Sequence, residues 1–193
     1  MKVSKIAELW HVSLIQLVKK NTLTYIDSEN NWSDDKKCSL LESILSGFPI
    51  GLITMHKTYK EGTCMEYVID GFNRLSTVME AFSDNSDYYI HLDTNKIERR
   101  SRRKDSYHMS LKCVMDSVAM YKEEKRLEEK LGKTYSIRAR SIAERFYDYY
   151  IPTVTIITND KEQLKTYCKE VHKKELSNYL FFSLCSNLLP GPG

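Results

Sequence analysis

Apolar residues recur along this chain in short, changing rhythms. Val3, Ile6, Leu9, Val12, Leu14, Ile15 and Val18 keep mostly helical spacing, which predicts an N-terminal helix over residues 1–21. Thr22 to Ile26 suits a short strand. The next helix carries clearer signals. Ser33 is a capping residue, Asp34 and Asp35 suit the positive end of a helix dipole, and Leu40, Leu41, Ile44 and Leu45 share one face. Gly47 and Pro49 stop it.

Ile50 to Met55 is apolar and β-branched, a strand pattern, and Lys57 to Thr63 reads as a polar turn around Gly62. Met65 to Ile69 predicts a second strand, and Phe72, Leu75, Met79 and Phe82 form a helical stripe directly after it. A strand over 88–92, helices over 117–131 and 137–148, and a strand over 150–157 follow. Pro152 offers no amide to a ladder, which predicts a strand start or an edge. A helix from Asn159 or Asp160 to about His172 and a last one over 175–188 lead to the tail Pro190-Gly191-Pro192-Gly193. Strands and helices mix without regular alternation, so the expected class is α+β. No repeat or linker divides the chain. The expectation is one domain over 1–193, with its core at 22–177 and a helix and tail at 178–193.

Composition narrows the class. Of the 193 residues, 41% are hydrophobic and 11% aromatic, enough for a core and against disorder. No stretch approaches the roughly 20 apolar residues of a membrane span. Glu8, Trp10 and His11 interrupt what a signal peptide would need, so a cytoplasmic location is expected. The five cysteines lie far apart, in neither a zinc-knuckle nor a disulfide pattern, and read as free thiols. The histidines form no metal-binding array, and no Walker A pattern occurs.

Charge is unevenly placed. The net charge is +3, yet residues 96–104 alone carry +5 and the remainder −2. Lys96, Arg99, Arg100, Arg102, Arg103 and Lys104 could neutralise a few nucleic-acid phosphates, with salt-dependent affinity as the mark. The same pattern also describes a solvated surface loop.

The segment with most chemistry is Val68-Ile69-Asp70-Gly71-Phe72-Asn73-Arg74-Leu75. A strand ends, a glycine turns the chain and a helix begins. The first amides of a helix lack internal partners, and with the dipole they suit an anion. Gly71 would let a phosphate near the backbone, Arg74 could reach back with its planar fork, and Asp70 could orient water or hold magnesium. A plainer reading stands beside this: Asp70 as helix cap, or as the i, i+4 partner of Arg74.

Trp32, then Leu40-Leu41-Glu42-Ser43-Ile44-Leu45, then Gly47-Phe48-Pro49-Ile50-Gly51, then the Asp70–Arg74 segment resemble the N-terminal domain of GmrSD-type restriction proteins, in the ParB/sulfiredoxin-like superfamily. Tyr149-Tyr150-Ile151-Pro152-Thr153-Val154 resembles the family's closing strand. The resemblance implies a ParB/sulfiredoxin-like α+β fold that binds a nucleotide, and a nucleoside triphosphate is the expected ligand. It also implies an Asp-Gly-x-x-Arg motif tied to nucleotide hydrolysis in DNA restriction or defence. Asp70, Gly71 and Arg74 match that motif, while its two glutamines are Phe72 and Asn73 here. Ser28 stands where the family has an arginine, and the closing helix offers Cys168, Glu170 and His172 in place of Phe-x-Arg-x-Asn. These departures favour binding over turnover.

Three functions therefore stand open, with a nuclease, found among relatives of the superfamily, as a further one: a stand-alone nucleotide-binding protein in a DNA transaction such as restriction, defence or counter-defence, a phosphotransferase of the same superfamily, and a non-enzymatic partner-binding protein. The first would use Asp70 and Arg74 catalytically. Gly71, Phe72, Asn73, Arg74 and His172 would hold the nucleotide, and residues 96–104 the DNA. Trp32 and Phe72 read as core aromatics before stacking platforms, and Glu42 as a solvent-facing charge.

Overall fold

The computed structural model describes residues 7–19, 23–24, 30–60, 62–99, 107–119, 128–129, 132–158, 160, 162, 164 and 166. The fold is α+β. Its main sheet has five strands: β1 (Ala7–Ser13), β2 (Leu23–Thr24), β3 (Ile53–Lys60), β4 (Thr63–Asp70) and β8 (Tyr150–Ile157), in the order β1-β8-β3-β4-β2. β1 with β8 and β3 with β4 are antiparallel; β3 with β8 and β2 with β4 are parallel. A second, antiparallel sheet holds β5 (Tyr88–His91) between β6 (Ile97–Arg99) and β7 (His108–Ser110). The helices are α1 (Leu14–Lys19), α2 (Asp34–Leu45), α3 (Phe72–Phe82), α4 (Leu111–Ala119) and α5 (Lys133–Tyr147).

The core joins these layers. Leu14, Leu17, Leu41, Ile44, Ile53, Leu75, Tyr88, Ile90, Leu111, Phe146 and Ile151 are all under 2% exposed, so both sheets and the helices α1 to α5 close on one interior. Phe82 meets Phe146 edge to face at 5.2 Å, tying α3 to α5.

Local signals account for α2. The Ser33 hydroxyl accepts from the Lys36 amide at 3.4 Å, and Asp34 and Asp35 lie in the first turn. At the other end Gly47 takes φ 75°, and the Phe48 amide reaches back to the Ser43 carbonyl at 2.9 Å.

Several expectations are corrected. The N-terminal segment is not one helix: among its described residues Ala7–Ser13 is an edge strand and Leu14–Lys19 is helical. The cause is non-local, because all seven residues of β1 pair with β8, some 140 positions away. Residues 57–60 are not a turn, since β3 continues to Lys60 and the reversal falls at Gly62. Pro152 lies near a strand start, as expected, but in an interior strand. The β3 register begins only at Thr153, so the missing amide interrupts no β3 bond. α4 starts at Leu111, ahead of the predicted 117–131. Helical structure does resume at Asp160, whose carbonyl accepts from Leu164 at 3.1 Å.

Candidate functional site

The site forms where β4 passes into α3. Thr54 pairs with Asp70 but Met55 with Val68, so one residue of β4, Ile69, is extra in the ladder. Such a bulge bends the strand and re-aims the residue beyond it, here Asp70. Gly71 then takes φ 96°, a left-handed conformation costly for any residue with a Cβ, and serves as the N-cap of α3. Asp70 is therefore not the cap. The first helical bond runs from the Leu75 amide to the Gly71 carbonyl at 3.0 Å, so the amides of Asn73 and Arg74 come before the helical ladder begins.

Arg74 folds back over this corner. Its Nη2 donates to Asp70 Oδ2 at 3.0 Å and its Nη1 to the Ile50 carbonyl at 2.9 Å. Two glycines make room for the guanidinium. A Cβ on Gly51 would stand 2.6 Å from Nη1, and one on Gly71 would stand 3.3 Å from Nη2 and 2.2 Å from Ile53 Cδ1. The space that Gly71 opens thus holds Ile53 and the arginine, not the backbone approach to phosphate read from the sequence. Only two of the five guanidinium donors are used by these bonds. Arg74 is 16% exposed, Asp70 45%.

The loop carrying Ile50 is held from the far end of the chain. The Tyr149 hydroxyl donates to the Phe48 carbonyl at 2.7 Å and accepts from the Ile50 amide at 3.1 Å. Burial pushes this phenol above its ordinary pKa, against the opposing effect of the Ile50 amide, so it stays a donor. On the other flank Asn30 Nδ2 lies 3.1 Å from the Asn73 carbonyl, 2.8 Å from Ser76 Oγ and 2.9 Å from Thr77 Oγ1. That fastens the loop before Trp32 to the first turn of α3. Ile50, Gly51, Asn30 and Tyr149 escaped the sequence reading as site residues. Ile50, Gly51 and Tyr149 stood inside motifs that carried the family resemblance, but nothing there assigned them to the site, and Asn30 left no signal.

Phe72 and Trp32 both pack against the core, and Lys36 Nζ lies 4.3 Å above the Trp32 ring. His172 and the basic residues Arg100, Arg102, Arg103 and Lys104 lie outside the described residues. Lys96 is 68% exposed, with Glu98 3.9 Å away.

Arg99 is placed differently. It lies on β6 at the centre of three carboxylates: Nη1 to Asp34 at 2.6 Å, Nη2 to Glu80 at 2.8 Å and Nε to Asp87 at 3.0 Å. Its guanidinium stands 5.0 Å over the Tyr88 ring, and Glu80 also takes Lys37 at 3.0 Å and the Tyr88 hydroxyl at 3.2 Å. Burial opposes the Arg99 charge, but bonds from Asp87 and Asp34 outweigh it and push the pKa up. Glu42 is not solvent-facing: its Oε1 accepts the Ile97 amide at 2.8 Å. Together these contacts fasten the small sheet to α2 and α3, and no nucleic-acid phosphate is needed to satisfy Arg99.

Among the described residues no cluster of three or more metal-ligating side chains occurs, and no helix is long and apolar enough to cross a membrane. Cys38, Cys64 and Cys113 are free thiols, and burial raises Cys38 to about 11.

An α+β domain with an Asp-Gly-x-x-Arg corner between strand and helix is thus the class that fold and site define. The family model of the GmrSD restriction endonuclease N-terminal domain matches residues 20–185, and the chain belongs to that family. Its function accordingly lies with DNA restriction and defence. No curated protein matches the chain.

Proposed function

We propose that this chain is a nucleotide-binding module of a DNA restriction or defence system, in which Arg74 takes the phosphates of a nucleoside triphosphate. One observation carries the reading: the Arg74 guanidinium is fixed between Gly51 and Gly71 by one carboxylate and one carbonyl, with most of its donors unused by either. A fork held in place loses little freedom on meeting a phosphate. The amides of Asn73 and Arg74, which have no carbonyl partner within the helix, add to it. Asp70 gives one oxygen to Arg74, and its Oδ1 is a hard ligand of the kind magnesium takes beside phosphate oxygens. DNA contact falls to Lys96 and the sequence-neighbouring Arg100, Arg102, Arg103 and Lys104, without Arg99.

A panel of nucleoside triphosphates, with and without magnesium, tests this by thermal shift, because a ligand of the native state raises the melting point. At least one triphosphate should raise it, and Arg74→Ala should abolish the rise. A panel without effect defeats the reading. It would favour the alternative that the Asp70–Arg74 pair already suggests, a corner closed on itself in a non-enzymatic partner-binding protein.

A further inference from the structure

We propose that Tyr149 is the positioning residue of Arg74, holding the guanidinium at its angle through the Phe48–Ile50 loop. Tyr149 lies just ahead of β8, and nothing in the Asp-Gly-x-x-Arg segment points to it. Its backbone is anchored: its carbonyl accepts the Leu14 amide at 2.9 Å, its amide meets the Phe146 carbonyl at 3.4 Å, and its ring packs against the core. From that base the hydroxyl takes the Phe48 carbonyl and the Ile50 amide, two groups two residues apart, with Pro49 between them.

The peptide group that follows carries the constraint onward. The Ile50 carbonyl accepts Arg74 Nη1, and Gly51, at φ 89°, lies directly against the same nitrogen. A loop of 46–52 released from Tyr149 would move both the acceptor and the wall of the guanidinium slot. Asp70 would remain, but a single carboxylate oxygen fixes a point and not a plane. The second bond, to Ile50, sets the plane of the fork. Tyr149 therefore touches neither phosphate nor Arg74; it acts through Ile50. That this angle serves phosphate binding rests on the function proposed above, whereas the pinning itself does not.

Tyr149→Phe removes one oxygen and keeps the ring. In wild-type protein the Arg74 guanidinium NMR signals, assigned with Arg74→Lys, should be distinct and slow to exchange. In Tyr149→Phe they should broaden or move. Affinity for inorganic tripolyphosphate, by calorimetry, should fall by about tenfold, the scale of one lost bond between polar groups. In an Arg74→Lys background Tyr149→Phe should cost little more, since the plane of the fork is already gone. Unchanged Arg74 signals overturn the proposal, and so does an equal loss of affinity in both backgrounds, the mark of general loosening. If the signals change while wild-type protein takes no tripolyphosphate, the pinning stands and the nucleotide reading falls.

Discussion

Arg74 and Arg99 are equally sheltered, with side chains 16% and 15% exposed, so burial does not tell them apart. Their partners do. Arg99 is met by carboxylates from the first turn of α2, from α3 and from the approach to β5, and its charge is more than matched. It cross-links four elements. Arg74 is met by one carboxylate and one neutral carbonyl, in a slot walled by two glycines. An arginine saturated with acids has nothing left for a ligand, whereas one that is aimed and under-neutralised does. Both arise from segments that sequence chemistry marks as anion-binding, and only their surroundings divide scaffold from candidate site.

The sharpest way to break this comparison is to remove Arg99. Arg99→Ala takes a shared cation from Asp34, Glu80 and Asp87, while Lys37 stays beside Glu80. We expect a loss of about 3 kcal/mol, the low end for an opened ion-pair network because Asp34 is largely exposed, and a melting point lower by about 6–12 °C. The folded protein should keep its affinity for tripolyphosphate. An unchanged melting point would mean the carboxylates do not need Arg99.

Gly71→Ala comes next. It imposes a strained backbone at φ 96° and drives a Cβ into buried Ile53, at a cost of about 2 kcal/mol in urea unfolding. Gly51→Ala should cost only about 1 kcal/mol, because its Cβ meets the movable end of Arg74, yet it should weaken tripolyphosphate binding. If Gly51→Ala binds like wild type, the slot around Arg74 is not the anion site.

Arg74→Lys keeps the charge and loses the fork. Stability should drop by no more than about 1 kcal/mol, while tripolyphosphate affinity falls about tenfold or further. The reverse pattern would place Arg74 with Arg99 among the structural residues.

The smallest effect concerns His56. It is 3% exposed, its Nε2 lies 2.8 Å from the Thr158 carbonyl, and its Nδ1 has no hydrogen-bond partner among the described residues. Burial lowers its pKa below the ordinary 6.5. The unfolded chain then takes a proton, as pH falls through 6.5, that the folded chain resists. Its contribution to stability should be complete above that pH and decline below it. Urea midpoints from pH 7.5 to 5 should fall on the acid side, and less steeply in His56→Gln. Parallel curves would refute the assignment.

Legibility in the sequence followed the range of the interaction. The Ser33 cap, the Gly47 stop, the β4–Gly71–α3 corner and the Asp70–Arg74 pair are all settled within a few residues, and each was readable there. β1 was not, because a seven-residue segment with helical spacing gains more from a full ladder with β8 than from its own propensity. Nor was the fate of Glu42 and Arg99, two charges whose partners lie 12 to 65 positions away.

The amino-acid order thus dictated the α+β class, the membership implied by ordered motifs, and a helix that begins after a turning glycine with an arginine one turn in. These depend on backbone preferences and near neighbours, which a linear string carries. Whether that arginine stands in an open slot or a carboxylate cage depended on what folding brought to it: Ile50 and Gly51 from one loop, Tyr149 from just ahead of the closing strand. Desolvation and hydrogen-bond geometry act through space, and their partners are known only once distant segments have packed.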